Sequence, residues 1–392
     1  MDTNQHSPEY FSISEGGPAH NAFVKMRLHK NQGRLILVFL CIAWLPLVII
    51  TAIEGTLYSG VQMPFLKDIA MQMRLLVALP ILLLIKFIID GKVIDLEKYF
   101  FHTLMSDNEQ RLTLIKIFNR TRKLANSILA EIIMLLIVIA ATISFVKTGF
   151  FSGLQSGTES WMSSEIENHT LGVAGKWVVF ISIPVFQFLL LRWIWRYIVW
   201  VLHLSSISRS RLNLQPTHPD RAGGLGIIVH TQKYFSLVFV GFSIVVSGEM
   251  CAHLLRDPGA FPGIRGEVIG CIIICLFLLL LPMLFFTGKL IKTKHEGLLK
   301  LSNLGASMSN KFEEDWINDK SIENKVAERS VGTSMLHDYT GVYQSLEHLR
   351  PVPITYKDVV SMAAILFIPY IPIVFIHFSV GELIQKLVGL LV

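Results

Sequence analysis

The sequence predicts an all-α polytopic membrane helix bundle with about seven transmembrane helices, and three observations carry that prediction. The residues are 52% hydrophobic and only 16% charged, where soluble domains run at roughly 45–50% and 25%. The apolar residues gather into seven runs, each near the ~20 residues needed to cross a hydrocarbon core of ~30 Å. Lys and Arg then alternate between the connecting segments. They are dense in the N-terminal segment and in 90–127, 203–232 and 292–357, and sparse in 54–73, 147–175 and 256–267. The positive-inside rule reads this as a cytoplasmic N-terminus and a periplasmic C-terminus. The net charge of +6 belongs to those basic loops. No basic run interleaved with aromatics suggests nucleic-acid binding.

Residues 1–34 form a polar cytoplasmic segment without the cationic stretch, short apolar run and cleavage site of a removable signal peptide. Lys25, Arg27, Lys30 and Arg34 lead into a first span at Leu35–Ile53. The second, about Leu75–Ile89, reaches back towards Ile69, with Lys86 and Asp90 able to snorkel at its end. Ser106–Glu109 reads as a capping box. It opens a helix whose Arg111, Lys116, Arg120, Arg122 and Lys123 belong to a cytoplasmic stalk over 92–127, continuing unbroken into a third span at Ile128–Val146. Phe150–Gly175 is a Gly/Ser loop with Glu159, Glu165 and Glu167. Trp177–Leu202, Lys233–Leu255 and Val268–Leu290 complete a six-span bundle over 35–290. A helical cytoplasmic segment at 291–357 and a last span with an interfacial tail at 358–392 follow. Cys41, Cys251, Cys271 and Cys275 lie in or beside apolar runs and read as small hydrophobes rather than a disulfide framework. No metal site or cofactor is expected.

The stretch Pro216-Thr-His-Pro-Asp-Arg-Ala-Gly-Gly-Leu-Gly226 resembles one found in a family of uncharacterised bacterial inner-membrane proteins. Pro282, Val331-Gly-Thr-Ser334, Tyr343 and Leu349-Arg-Pro-Val-Pro-Ile354 fit the same family. The resemblance covers about 190–392. It implies a multi-pass protein of the bacterial inner membrane and carries over no catalytic residues.

Three groups of residues are candidates for chemistry. On the fourth span, Arg192, Arg196 and His203 share one face at ~100° per residue. They could line the mouth of a path for an anion, or the arginines could snorkel among Trp193, Tyr197 and Trp200. Before the fifth span, His218, Asp220 and Arg221 precede Gly223, Gly224 and Gly226, with Arg211 upstream. Glycines ahead of a helix N-terminus can build an anion-binding nest, and the same residues can make a structural turn. On the fifth span, Glu249 and His253 stand one turn apart, a candidate proton or cation relay. The prolines Pro46, Pro80, Pro184, Pro282, Pro369 and Pro372 suit kinked spans that line cavities, though prolines are common in membrane helices generally.

The expected function is permeation or transport of a small solute, expected to be an anion. The alternative is a scaffold or sensor that binds a cytoplasmic partner, or a second copy, through 92–127 and 292–357. An intramembrane enzyme acting on lipid ranks last, because His218 and Asp220 lie on the opposite side of the membrane from Glu249 and His253.

Overall fold

The computed structural model of the protein describes residues 12–27, 31–148, 160–165, 170–314 and 326–377. It contains seven helices long and apolar enough to cross a membrane: Gln32–Ile53, Ile69–Leu104, Asn108–Lys147, Val173–Arg209, Gly226–Arg256, Pro258–Glu313 and Tyr356–His377. They are called the first to seventh spans. The predicted multi-pass helical bundle is therefore correct. The fifth span is the most enclosed and packs against the second, sixth and seventh.

The first and third spans locate the hydrocarbon layer, because their outer faces are bare. Leu37, Ile49 and Ile53 on one, and Ile128, Ile133, Leu136 and Ile143 on the other, are exposed. Contiguous exposed apolar surface of this kind is what lipid covers. The bundle does not stop where these runs end. Leu104 lies about 20 Å beyond Asp90, and Arg209 about 20 Å beyond Arg196, at ~1.5 Å per residue. In that extension Val93, Leu96, Phe100, Leu104, Leu204 and Ile207 are fully buried. A second storey of helix is thus built directly onto the membrane bundle.

This storey changes the reading of 92–127, which is not a projecting stalk. Leu114, Phe118, Thr121 and Ala125 are buried, and their helix packs along the fourth span. Nor is the third span unbroken. Asn108–Ala125 ends at Asn126, and a new helix starts at Ile128 with the Ser127 hydroxyl accepting from the Ala130 amide at 3.3 Å. The capping box sits one residue later than expected: Asp107 is its first member and Gln110 its partner. In the predicted 150–175 loop, Ser163–Glu165 pairs with Thr170–Leu171, and buried Trp161 packs edge-on to Phe65 at 4.8 Å. Glu159, Glu167 and the 381–392 tail lie outside the described residues.

The kinking prolines serve as joints between helices. Pro46 cannot donate to the Ile42 carbonyl, and it disturbs the next turn. The Ile42 oxygen instead accepts from Trp177 Nε1 at 3.1 Å, and the Ala43 oxygen from Ser182 Oγ at 2.6 Å. Pro282 in the same way releases Leu278. Tyr197 Oη donates to the Leu278 oxygen at 2.7 Å, and Gln232 Nε2 to the Leu279 oxygen at 2.8 Å. Near Pro369 and Pro372, the Pro369 oxygen accepts from Ser247 Oγ at 2.6 Å. Backbone groups left open in a membrane must find such partners. Here neighbouring spans supply them.

Candidate functional site

The arginine stripe faces neither lipid nor an open channel. It faces the chain's own N-terminal segment. Ile13 and Ser14 are buried between spans, ahead of the short helix Pro18–Lys25. Arg192 Nη2 donates to the Gly16 oxygen at 3.1 Å. Arg196 donates from Nη2 to the same oxygen at 2.8 Å and from Nη1 to the Glu15 oxygen at 3.3 Å. The segment is fastened on its other side as well. The Ser14 amide donates to Asp90 Oδ1 at 3.0 Å, and the Ala19 amide to Glu131 Oε2 at 2.9 Å. Gly16 and Gly17 adopt φ of +94° and +85°, a left-handed backbone that glycine enters without penalty. Glu131, on the third span, lies 4.0 Å from Arg192 Nε and is the nearest opposite charge. Arg192 and Arg196 are 8% and 2% exposed. A narrow cleft of about 50 Å³ remains beside them, bordered by Ser14, His20, Phe23 and Lys86. That space is of the order of one or two waters.

His203 shares the face of the arginines but not their surroundings. It lies in the second storey, fully buried, with Nδ1 3.0 Å from Thr121 Oγ1 and Nε2 3.7 Å from Glu97 Oε1. Trp200 and Phe118 flank its ring, with centroids 5.8 and 5.7 Å away. The Thr121 hydroxyl also lies 2.9 Å from the Ile117 carbonyl, which can only accept. Oγ1 therefore points its proton there and accepts from Nδ1–H. Nε2 faces the Glu97 carboxylate at 3.7 Å, beyond hydrogen-bond distance. The arrangement has the residue types of a hydroxyl–imidazole–carboxylate triad, but its hydroxyl is 4% exposed and turned into its own helix.

The glycine turn is built around Asp220. Oδ1 accepts from the amides of Ala222 at 2.8 Å and Gly224 at 3.1 Å, and Oδ2 from Gly226 at 2.9 Å. The carboxylate thus occupies the nest that the glycines make, and caps the fifth span from six residues upstream. Burial pushes the Asp220 carboxyl upward, but the three amides, with His218 Nδ1 at 2.8 Å, outweigh it and hold it below the usual aspartate range. Gly223 and Gly224 lie at φ +65° and +92°, and Arg221 itself sits at +52°. The turn is clamped from outside by Arg350. Its Nη2 donates to the Asp220 oxygen at 2.6 Å, and its amide to the Arg221 oxygen at 3.0 Å. Two segments that carried the family resemblance, 216–226 and 349–354, therefore meet in space. Gly297 of the sixth span completes the join, since an added Cβ would lie 2.9 Å from Pro216 and 3.0 Å from Leu346.

At the opposite end of the bundle, Glu249 pairs with Arg74 of the second span at 2.7 Å. His253 is exposed one turn further on. Arg74 was not singled out in the sequence, although an arginine just inside an apolar run carries the same signal as Glu249.

Arg211 belongs to a different surface. It borders an open cleft of about 580 Å³ in the second storey, together with Arg209, Lys289 and Lys292. The sequence-predicted residues thus divide among five places: Arg192 and Arg196, His203, the Asp220 turn, the Arg211 cleft, and the Glu249–His253 end. Glu249 and His253 stand at the far end from the rest.

No family model, curated protein or solved structure matches the chain.

Proposed function

We propose that this integral membrane protein carries a small anion, and that residues 13–19 occupy the anion's place at Arg192 and Arg196. The observation behind this reading is the nature of what the guanidiniums hold. Two nearly buried cations just inside the hydrocarbon boundary are met mainly by backbone carbonyl oxygens, contributed by a segment outside the spans. Intramembrane arginines are costly, and their usual setting is a pathway or a compensating partner. If the segment withdraws, the same donors are available to the oxygens of an anion in the fork geometry that arginine favours. We further propose that the basic end of the bundle lies in the cytoplasm, on the strength of the Lys/Arg distribution, and that the membrane is a bacterial inner membrane, as the resemblance of 216–226 and 349–354 implies.

The test is uptake of chloride, nitrate and phosphate into proteoliposomes. Deleting residues 1–17 is expected to raise flux of at least one of them by threefold or more, and the double variant R192A/R196A to abolish it. Hydrogen exchange reads the latch separately. In R192A/R196A, the amides of Ser14–Gly17 and Ala19 are expected to exchange about tenfold faster, equivalent to ~1.4 kcal/mol. Absence of anion flux from both full-length and truncated protein would sink the transport reading.

A second reading is a scaffold or sensor. The end of the sixth span pairs with the helix Val326–Glu347, where Tyr339 Oη donates to the Leu301 oxygen at 2.5 Å. Leu299, Leu304, Met335 and Val342 on this pair are exposed. A partner captured by the full chain but lost on deletion of 292–350 would support it, and a clean capture would count against it.

A further inference from the structure

The second storey contains a built cleft that neither reading above uses. It opens between the turn joining the second and third spans, the segment after Arg209, and the sixth span just past its proline break. Arg209 and Arg211 come from one side, and Lys289 and Lys292 from the other. Among the described residues, no carboxylate pairs with Arg209 or Arg211. The one acid on the wall, Glu296, lies 3.7 Å from Lys292. Four cations thus converge against a single carboxylate.

The walls are fastened before any ligand arrives. The Asn213 amide donates to the Leu104 oxygen at 2.9 Å, and its Nδ2 to Ser106 Oγ at 2.7 Å. Lys289 Nζ donates to the Ser210 carbonyl, which ties the sixth span to the loop after the fourth. Arg209, Arg211 and Lys292 remain exposed. Planar guanidiniums with an ammonium opposite suit a tetrahedral oxyanion, which takes paired N–H donors from arginine and a point charge from lysine. The volume of about 580 Å³ is in the range of small-molecule sites rather than of a single ion.

We propose that this cleft binds a phosphate-bearing anion, through Arg209, Arg211 and Lys292, with Thr293 and Asn213 as neutral donors. Two sources could supply that chemistry: a phospholipid headgroup or a soluble phosphate compound. The depth favours the soluble one. The cleft lies about 20 Å beyond the hydrocarbon boundary along the second and fourth spans, whereas the headgroup layer extends only ~5–8 Å past it. The site is also separate from Arg192 and Arg196, so its occupancy does not depend on whether the protein transports anything.

The experiment is calorimetric titration of inorganic pyrophosphate into the full chain in phosphatidylcholine nanodiscs. A parallel arm measures phosphatidylglycerol enrichment around the protein in mixed-lipid nanodiscs. Saturable pyrophosphate binding is expected, weakened at least tenfold in R209A/R211A and by a comparable factor in Lys292→Glu, with R211K, which keeps the charge but loses the paired donors, falling between the wild type and the double variant. The three side chains are exposed, so melting temperatures should stay close to that of the wild type. Should the double variant fail to fold, Lys292→Glu carries the test alone. Enrichment of phosphatidylglycerol that needs the same residues, without pyrophosphate binding, would assign the phosphate to lipid and keep the site. No saturable pyrophosphate binding together with no residue-dependent lipid enrichment overturns it, as does binding that the variants leave unchanged.

Discussion

Asp220 gives both carboxylate oxygens to three backbone amides, and no other side chain on the glycine turn replaces it. Its substitution by Ala would leave the amides of Ala222, Gly224 and Gly226 in a part-buried loop without their acceptor. Hydrogen bonds to a charged group are worth about 1.5–3 kcal/mol net. Even with water replacing some of them, Asp220→Ala should lower unfolding stability by more than about 2 kcal/mol. The pH dependence follows from the same contacts. The folded-state carboxyl titrates below its unfolded value, since the amides and His218 overcome the effect of burial. Its contribution is therefore fully present above the ordinary aspartate range near pH 4 and is lost as the pH falls below it. Melting curves of wild type and Asp220→Ala should draw together as the pH falls below about 4. A gap that stays constant over that fall would show that the carboxylate charge is not what holds the turn.

At the scale of the element, proline kinks and polar side chains form matched pairs across spans. Gln232 is the most connected of these. It donates to the Leu279 oxygen at 2.8 Å and to Tyr197 Oη at 3.2 Å, and accepts from Trp200 Nε1 at 2.8 Å. Bonds between membrane helices average ~0.6 kcal/mol and reach about 1.7. Gln232→Leu removes three and strands two buried partners, so a loss of about 2 kcal/mol is expected in reversible unfolding from mixed micelles. Ser206→Ala, whose hydroxyl only returns to its own helix at Leu202, should be neutral, and equal effects from the two would dismiss the joint. These joints also mark where the sequence was legible. The prolines were visible as breaks, but their partners come from other spans and leave no local pattern. The capping box was found to within one residue because its signal is local. The N-terminal latch was missed because a Gly-Gly pair in a polar segment says nothing about two arginines on the fourth span. Arg192, Arg196 and His203 share a face by periodicity, yet the bundle's storeys divide them. One face of a long helix can cross both lipid and water.

At the scale of the whole molecule, that division between storeys makes one sharp demand. Leu112 and Ile137 belong to the same candidate span, Asn108–Lys147, and are equally bare, at 51% and 49% exposed. Hydropathy and exposure alone would treat them alike. Depth separates them. Ile137 lies in the middle of the Ile128–Thr148 helix, at the centre of the hydrocarbon layer fixed by the first and third spans. Leu112 lies on the Asn108–Ala125 helix, beyond Lys123 and Arg122 and well outside that layer. A lysine at the centre of a span costs about 2.5–3.5 kcal/mol on insertion scales. A surface substitution in water usually stays within about 0.5 kcal/mol. Ile137→Lys should therefore sharply reduce the yield of membrane-integrated, folded protein, while Leu112→Lys should express and melt as the wild type does. The comparison also bears on the basic cleft, which lies on the water side with Leu112. Damage of equal size at both positions would mean that lipid reaches the second storey, and would move Arg209, Arg211 and Lys292 to the depth where headgroup phosphates lie.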